Sequence, residues 1–122
     1  MSIYIDADAF IRWEKGEFDL PAWLEGHGAA RAAFPPTVWQ QLTYGVFGWQ
    51  PDRAGKRERF LSIIGSVATV PDFSQAHAEC AARLAAELKH VQIGFADCQI
   101  AASALVDGAA LLTFNTNLHS IS

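Results

Sequence analysis

The sequence predicts an α/β domain with a short, mostly parallel sheet flanked by helices on both faces, and three observations carry that prediction. Two apolar runs too short to be helices, Ile3–Ile5 and Ala109–Thr113, stand near opposite ends of the chain. Between them lie stretches whose apolar residues recur every four positions, the spacing of one helical face. The chain has 122 residues, enough for one core and not for two. Crossover helices between apolar strands require a parallel sheet buried on both sides. Residues 1–122 therefore read as a single domain without repeats or a linker.

Taken in order, Ser2 to Asp6 reads as a buried strand that ends in a carboxylate. Asp8 is placed to cap a helix carrying Phe10, Ile11 and Trp13, with Gly16 as its stop. Phe18 to Ala33 reads as a second helix. Pro35 and Pro36 break it, and Pro36 suits the first turn of a third helix, Thr37 to Val46, with Val38, Leu42 and Val46 in line. The polar segment from Gly48 to Arg59 reads as an exposed loop. A helix from about Lys56 to Gly65 buries Phe60, Leu61 and Ile64, and Val67 to Val70 reads as a strand closed by Pro71. Ser74 caps a long helix to His90, in which Ala76, Cys80, Leu84 and Leu88 recur every four residues. Asp97 to Val106 forms another helix ended by Gly108, Ala109 to Thr113 a strand, and Asn115 to His119 a loop beyond it.

Composition bounds the function classes. The net charge of −4 argues against broad electrostatic adhesion to nucleic acid, although local basic patches can serve a nuclease within an acidic total. Arg53, Lys56, Arg57 and Arg59 form the dense basic cluster, either solvated surface or an RNA phosphate contact. His27, His77, His90 and His119 lack zinc spacing. Cys80 and Cys98 read as free thiols in a reducing compartment. Neither a signal-peptide pattern nor an apolar run of membrane-spanning length is present, so a soluble, cytoplasmic domain is expected. The hydrophobic fraction of 51%, with Trp13, Trp23, Trp39 and Trp49, suggests an interface beside the core, with core packing accounting for at least half of the tryptophans.

In open parallel sheets, sites form at the carboxyl ends of the strands. Asp6 ends the first strand and Asn115 lies just past the last, while Gln41 and Asp97 sit on helices able to reach the same crevice. Carboxylates brought together repel unless a cation lies between them, and hard oxygen donors suit Mg²⁺ or Mn²⁺. Each residue also has a local role open to it. Asp8 suits a helix cap, Asp97 complements a helix dipole, Gln41 suits an exposed face, and Asn115 with Thr113 suits a turn.

Four stretches give the chain a family likeness. IYIDADAFI is an apolar strand running into Asp; WQQLTYGV carries a Leu-x-Tyr-Gly ending; IGFADCQIAASAL has Asp followed by an Ile-Ala-Ala run; LLTFNTNLHSI has a strand ending in Thr-x-Asn with a nearby His. Together, and in this order, they resemble the PIN-domain ribonucleases, in particular the VapC-type toxins of type II toxin–antitoxin systems. The resemblance implies a three-layer PIN-like fold and hydrolysis of RNA phosphodiesters, tRNA among the candidate substrates. It implies Mg²⁺ or Mn²⁺ held by Asp6 and Asp97, a small antitoxin protein as partner, and a homodimer. By the same resemblance Asp6, Gln41, Asp97 and Asn115 form the catalytic set, supported by Asp8 and Thr113. Arg53, Lys56, Arg57, Arg59 and His119 are then candidates for RNA contact.

Gln41 departs from the family's pattern, which has a glutamate there. A neutral amide ligates or orients but is no general base near neutral pH. Either the chain is a naturally weak member, or it is a Glu-to-Gln form made to tolerate a toxic protein. A catalytically silent PIN fold that binds RNA or an antitoxin is the alternative reading. A third, weaker one is a haloacid-dehalogenase-type phosphatase, suggested by Asp6-Ala7-Asp8 after a strand but lacking the later paired acids.

Overall fold

A computed structural model of the protein describes residues 2–28, 31–89, 91 and 93–119, without the side chains of Arg31, Asn117 and His119. In chain order the elements are β1 (Ser2–Ile5), α1 (Ala7–Glu14), α2 (Leu20–Gly26), β2 (Arg31–Ala33), α3 (Pro36–Gly48), α4 (Pro51–Ile64), α5 (Gln75–Glu87), α6 (Phe95–Val106), β3 (Ala110–Leu112) and α7 (Thr116–His119). The three strands are parallel in the order β2-β1-β3. The central strand is buried on both faces, which is why Ile3, Tyr4 and Ile5 are apolar without alternation. Ile3 and Ile5 face one side, where Phe10, Leu20, Phe34, Leu42 and Ile64 from α1 through α4 and the β2–α3 junction cover them. Tyr4 faces the other side with Ala104, and α5 closes over α6 through Ala81, Cys98 and Ala102. The result is the three-layer α/β arrangement that the sequence predicts.

Several local expectations are corrected. Asp6, not Asp8, caps α1: its carboxylate accepts the Ala7 N–H at 2.7 Å. The second helix is only Leu20–Gly26, and Arg31–Ala33 forms β2 instead of its last turn. Alanine favours helix by propensity, but pairing of residues 31–33 with the buried central strand overrides that weak preference. Val67 to Val70 is no full strand; Thr69 alone bridges to Ala33. The expected loop from Gly48 to Arg59 is mostly α4, begun by Pro51 at its first position with Asp52 in its first turn. Thr116–His119 is a short helix where a loop was expected, and His90, the expected end of α5, lies outside the described residues.

The inward face of α4 is Arg57, Phe60, Leu61 and Ile64, the i, i+3, i+4, i+7 spacing of a buried stripe. Arg57 is therefore not part of an exposed basic cluster. Its Nε and Nη2 each donate to Glu14 at 2.7 Å, and its Nη1 donates to the Leu42 carbonyl at 3.0 Å. This fork ties α4 to α1 and α3. Trp49 stacks under it, its ring seated where a Cβ on Gly45 would lie 2.7 Å away. The Gly of the Tyr-Gly pair thus makes room for an aromatic ring.

All four tryptophans are half-buried: Trp13, Trp23 and Trp39 pack against the main core, and Trp49 packs on α3 and α4. The large exposed aromatics are instead Tyr44, Phe47, Phe95 and, less fully, Phe114. Both cysteines are free thiols, Cys98 buried and Cys80 half-buried. Among the described residues, no helix is long and apolar enough to cross a membrane.

Candidate active site

The carboxyl ends of β1 and β3 lie side by side, because β1 pairs with β3 from Ile3 to Ile5 and the Asp6 N–H donates to Leu112 at 2.9 Å. The residues just beyond these two strand ends build the site. Asp6 is only 5% exposed. Its Oδ2 accepts the Thr113 hydroxyl at 2.7 Å, while its Oδ1 is held by the helix cap. The Phe114 N–H donates to Asp8, the nearer oxygen at 3.1 Å. The Asn115 amide Nδ2 donates to Asp97 at 3.2 Å, and the Asn115 N–H donates to the Thr113 hydroxyl oxygen at 3.0 Å. Three consecutive residues of one chain segment each hold a different aspartate.

Asp6, Asp8, Gln41, Asp97 and Asn115 line one open cavity of about 370 Å³, with Ile11 as its apolar wall. Thr113 sits behind it, buried. Gln41 reaches the cavity from α3 and is exposed. A larger concavity of about 550 Å³, lined by Thr37, Gln40, Tyr44 and Phe95, adjoins it through Gln41 but contains no carboxylate; the acids line the smaller one.

Electrostatics mark the acids as strained. Burial pushes the Asp6 carboxyl up to about 6, and the charges of Asp8 and Asp97 add to that; the Thr113 and Ala7 hydrogen bonds oppose it without winning. Burial also raises Asp97, with the Asn115 hydrogen bond opposing and Asp8 adding. Among the described residues, no cationic side chain forms an ion pair with any of the three.

The donor set is all oxygen, which suits a hard divalent cation. Among the described residues, no three acidic, imidazole or thiol side chains converge into a ready-made cage. Mg²⁺ fits such an open set, because it keeps several waters and needs only one or two carboxylates.

The basic residues lie elsewhere. Arg53, Lys56 and Arg59 line a separate concavity of about 480 Å³ with Lys15 and Trp49, while Arg57 points inward to Glu14. The His119 side chain lies outside the described residues. Sequence reasoning missed two neighbours of the acids. The Arg12 guanidinium lies 4.3 Å from the centre of the Phe114 ring, and Phe18 meets the same ring edge-on at 5.3 Å. The available signal was spacing: Arg12 stands one helical turn beyond Asp8.

Comparison with known proteins fits this geometry. The PIN domain family profile matches residues 3–122. Among solved structures, a chain of VapBC2 from Rickettsia felis, crystallised with a DNA fragment from its promoter, superposes with a TM-score of 0.86 at 25% identity, over 99% of this chain and 93% of that one. VapBC-1 from nontypeable Haemophilus influenzae gives 0.81 at 21% identity, over 98% and 91%. VapBC-5 from Mycobacterium tuberculosis gives 0.76 at 20%, over 99% and 90%. No curated protein sequence matches the chain. The chain belongs to the PIN-domain family, and its fold is of the VapC type.

Proposed function

We propose that the chain is a metal-dependent endoribonuclease, the toxin half of a toxin–antitoxin pair, that hydrolyses RNA phosphodiesters. The observation that carries this reading is the gathering of Asp6, Asp8 and Asp97 at the ends of two parallel strands in a PIN fold, two of them with raised affinity for protons. Asp6 and Asp97 would hold Mg²⁺ or Mn²⁺. When bound, the cation supplies a water of lowered pKa and offsets charge on the attacked phosphate. Thr113 and Asn115 fix the carboxylates through the hydrogen bonds described, and so would orient them toward a cation. Asp8 adds negative charge beside them. Gln41 orients water or substrate through its amide but takes no proton at neutral pH, so turnover is low.

An antitoxin and a second copy of the chain are the proposed protein partners. Support comes from the VapBC complexes among the structural neighbours and from the exposed Tyr44, Phe47 and Phe95. PIN membership removes the phosphatase alternative.

Gln41 itself favours a second reading, a PIN fold that binds without cutting. RNA cleavage measured with and without chelator separates the two. The nuclease reading expects Mn²⁺-dependent cleavage that the Asp6→Ala, Asp97→Ala double variant abolishes and that Gln41→Glu raises by on the order of 100-fold. Cleavage indifferent to chelator and to the double variant overturns the proposed chemistry. Continued silence in Gln41→Glu establishes the binding module instead.

A further inference from the structure

We infer that RNA reaches the acidic cleft along a basic track on α1 and α4, in which Arg12 stacked on Phe114, then Lys15, Arg53, Lys56 and Arg59, grip the sugar–phosphate backbone on one side of the scissile bond. This rests on the nuclease reading above and adds the path of its substrate.

Helix geometry supplies the continuity. Asp8, Arg12 and Lys15 stand at i, i+4 and i+7, so they form one stripe along α1 and its cap residue, roughly 10 Å long. The stripe begins at a carboxylate of the cleft and ends in the concavity of about 480 Å³ that Lys15 shares with the α4 cations. Its midpoint is held in place. Phe114 donates its N–H to Asp8 while its exposed ring carries the Arg12 guanidinium 4.3 Å above the centroid. An aromatic face orients a guanidinium without neutralising it, which leaves the N–H fork available to phosphate oxygens.

The far end repeats the device. The Arg53 guanidinium lies 3.8 Å from the Trp49 ring centroid, with Arg57 at 4.4 Å from it. The one acid lining that concavity, Glu14, is already engaged by both Arg57 nitrogens. Among the described residues, Arg12, Lys15, Arg53, Lys56 and Arg59 have no carboxylate at ion-pair distance, and all five are exposed. In a chain of net charge −4, five unneutralised cations on one path are a local reversal of sign. Guanidinium planes backed by aromatic rings suit a single strand, whose phosphates meet the charges and whose bases stack on the exposed planes. An acidic peptide would satisfy the cations as well, and where the stripe runs into Asp8, Asp6 and Asp97 the three aspartates repel either anion alike. RNA is favoured because its bases can stack on the exposed guanidinium planes, which a polyglutamate side chain cannot do. A phosphodiester chain ends its path there with a bond to be cut.

The test uses a labelled single-stranded RNA oligonucleotide with the full protein in chelator, so that binding is read without cleavage. Anisotropy titrations across salt are compared for wild type, Arg12→Gln and the triple variant Arg53→Gln, Lys56→Gln, Arg59→Gln. The expected result is weaker binding with a flatter log–log salt slope, by about 0.7 for each phosphate contact removed, hence about 2 for the triple variant. Photo-crosslinking of 4-thiouridine RNA is expected to mark Phe114 or Trp49. Wild-type affinity and slope in both variants, with crosslinks elsewhere, overturn the track while leaving cleavage by wild type, and so the nuclease reading, intact. Loss of polyglutamate binding without loss of RNA binding also overturns it and gives the surface to an acidic protein partner. A wild type that neither binds nor cuts RNA overturns the nuclease reading itself, and the track with it.

Discussion

Asp6 and Asp107 are two carboxylates anchored to the same central strand, and they meet opposite electrostatic fates. Asp6 follows β1 directly, whereas Asp107 follows α6 and accepts the hydroxyl of Tyr4 on β1. Each receives two hydrogen bonds. Asp107 takes its second from the His77 Nε2 at 2.8 Å. Burial works to raise Asp107, but the Tyr4 and His77 hydrogen bonds and the imidazole charge hold it below the usual carboxylate range. Asp6 is buried more deeply, has Asp8 and Asp97 as neighbours, and ends near 6. Hydrogen-bond number does not separate them; burial and the sign of the nearest charge do. The first arrangement fastens α5 and α6 to the sheet, and the second keeps anionic donors ready at a cost to the fold.

Removing the costly carboxylate gives the largest expected effect. Asp6→Asn is expected to lower Mn²⁺-dependent cleavage by at least about 100-fold. At pH 8 it should raise the stability of the metal-free protein by up to about 3 kcal/mol, the cost of ionising a carboxyl that burial holds at about 6. Denaturant melts of both proteins check this; a destabilised Asp6→Asn would place Asp6 in the same class as Asp107.

Acidity separates the pair next. A folded-state pKa above the unfolded one means that the native protein binds the extra proton, so wild-type stability should fall as pH rises from about 4 to about 6, with Asp97 adding in the same direction. Asp107 has the reverse sign, and its contribution is present above its unfolded pKa and lost as pH falls below about 4. Thermal melts across this range should therefore show a decline toward neutrality that Asp6→Asn flattens and that saturating Mn²⁺ offsets. A flat profile in metal-free wild type would remove the contrast.

Two smaller effects sharpen it. Asp107→Ala should cost about 2 kcal/mol in chemical denaturation, the worth of its hydrogen bonds to a charged group, while leaving cleavage within about twofold. Thr113→Val, which deletes the hydrogen bond to Asp6 and the acceptor of the Asn115 N–H, should cost about 2 kcal/mol and about tenfold in cleavage. Thr113→Ser, which restores the hydroxyl, should recover most of the cleavage.

The parts legible in the sequence were those with a periodic signal or a terminal residue. The apolar run into Asp6, the helix behind Pro36 and the four-residue spacing from Ala76 to Leu88 each name an element by themselves. The strand Arg31–Ala33 was not legible, because its residues favour helix and only pairing with Ser2–Tyr4 makes them extended. Arg57 misled for a related reason. Read by composition it belongs with Arg53 and Arg59; read by spacing it belongs with Phe60, Leu61 and Ile64, and burial follows spacing. Asp8, Asp97 and Asn115 each had a sufficient local role, so their shared crevice was legible only through the strand-end rule and the family likeness, and the pairing of β3 with β1 supplies its geometry. The contact of Arg12 with Phe114 joins residues far apart in the chain; the spacing of Arg12 from Asp8 marks a shared helix face but not the ring it meets.

The segment Thr113–Asn115 has a consequence of its own. Consecutive Cα atoms stand about 3.8 Å apart across a trans peptide, so pegging one anion to each of three successive positions works as a ruler that dictates their separation. Lengthening or shortening that ruler by a single residue would displace every peg at once. The interval between the charges is thus inherited from a stretch of backbone that contributes none of them.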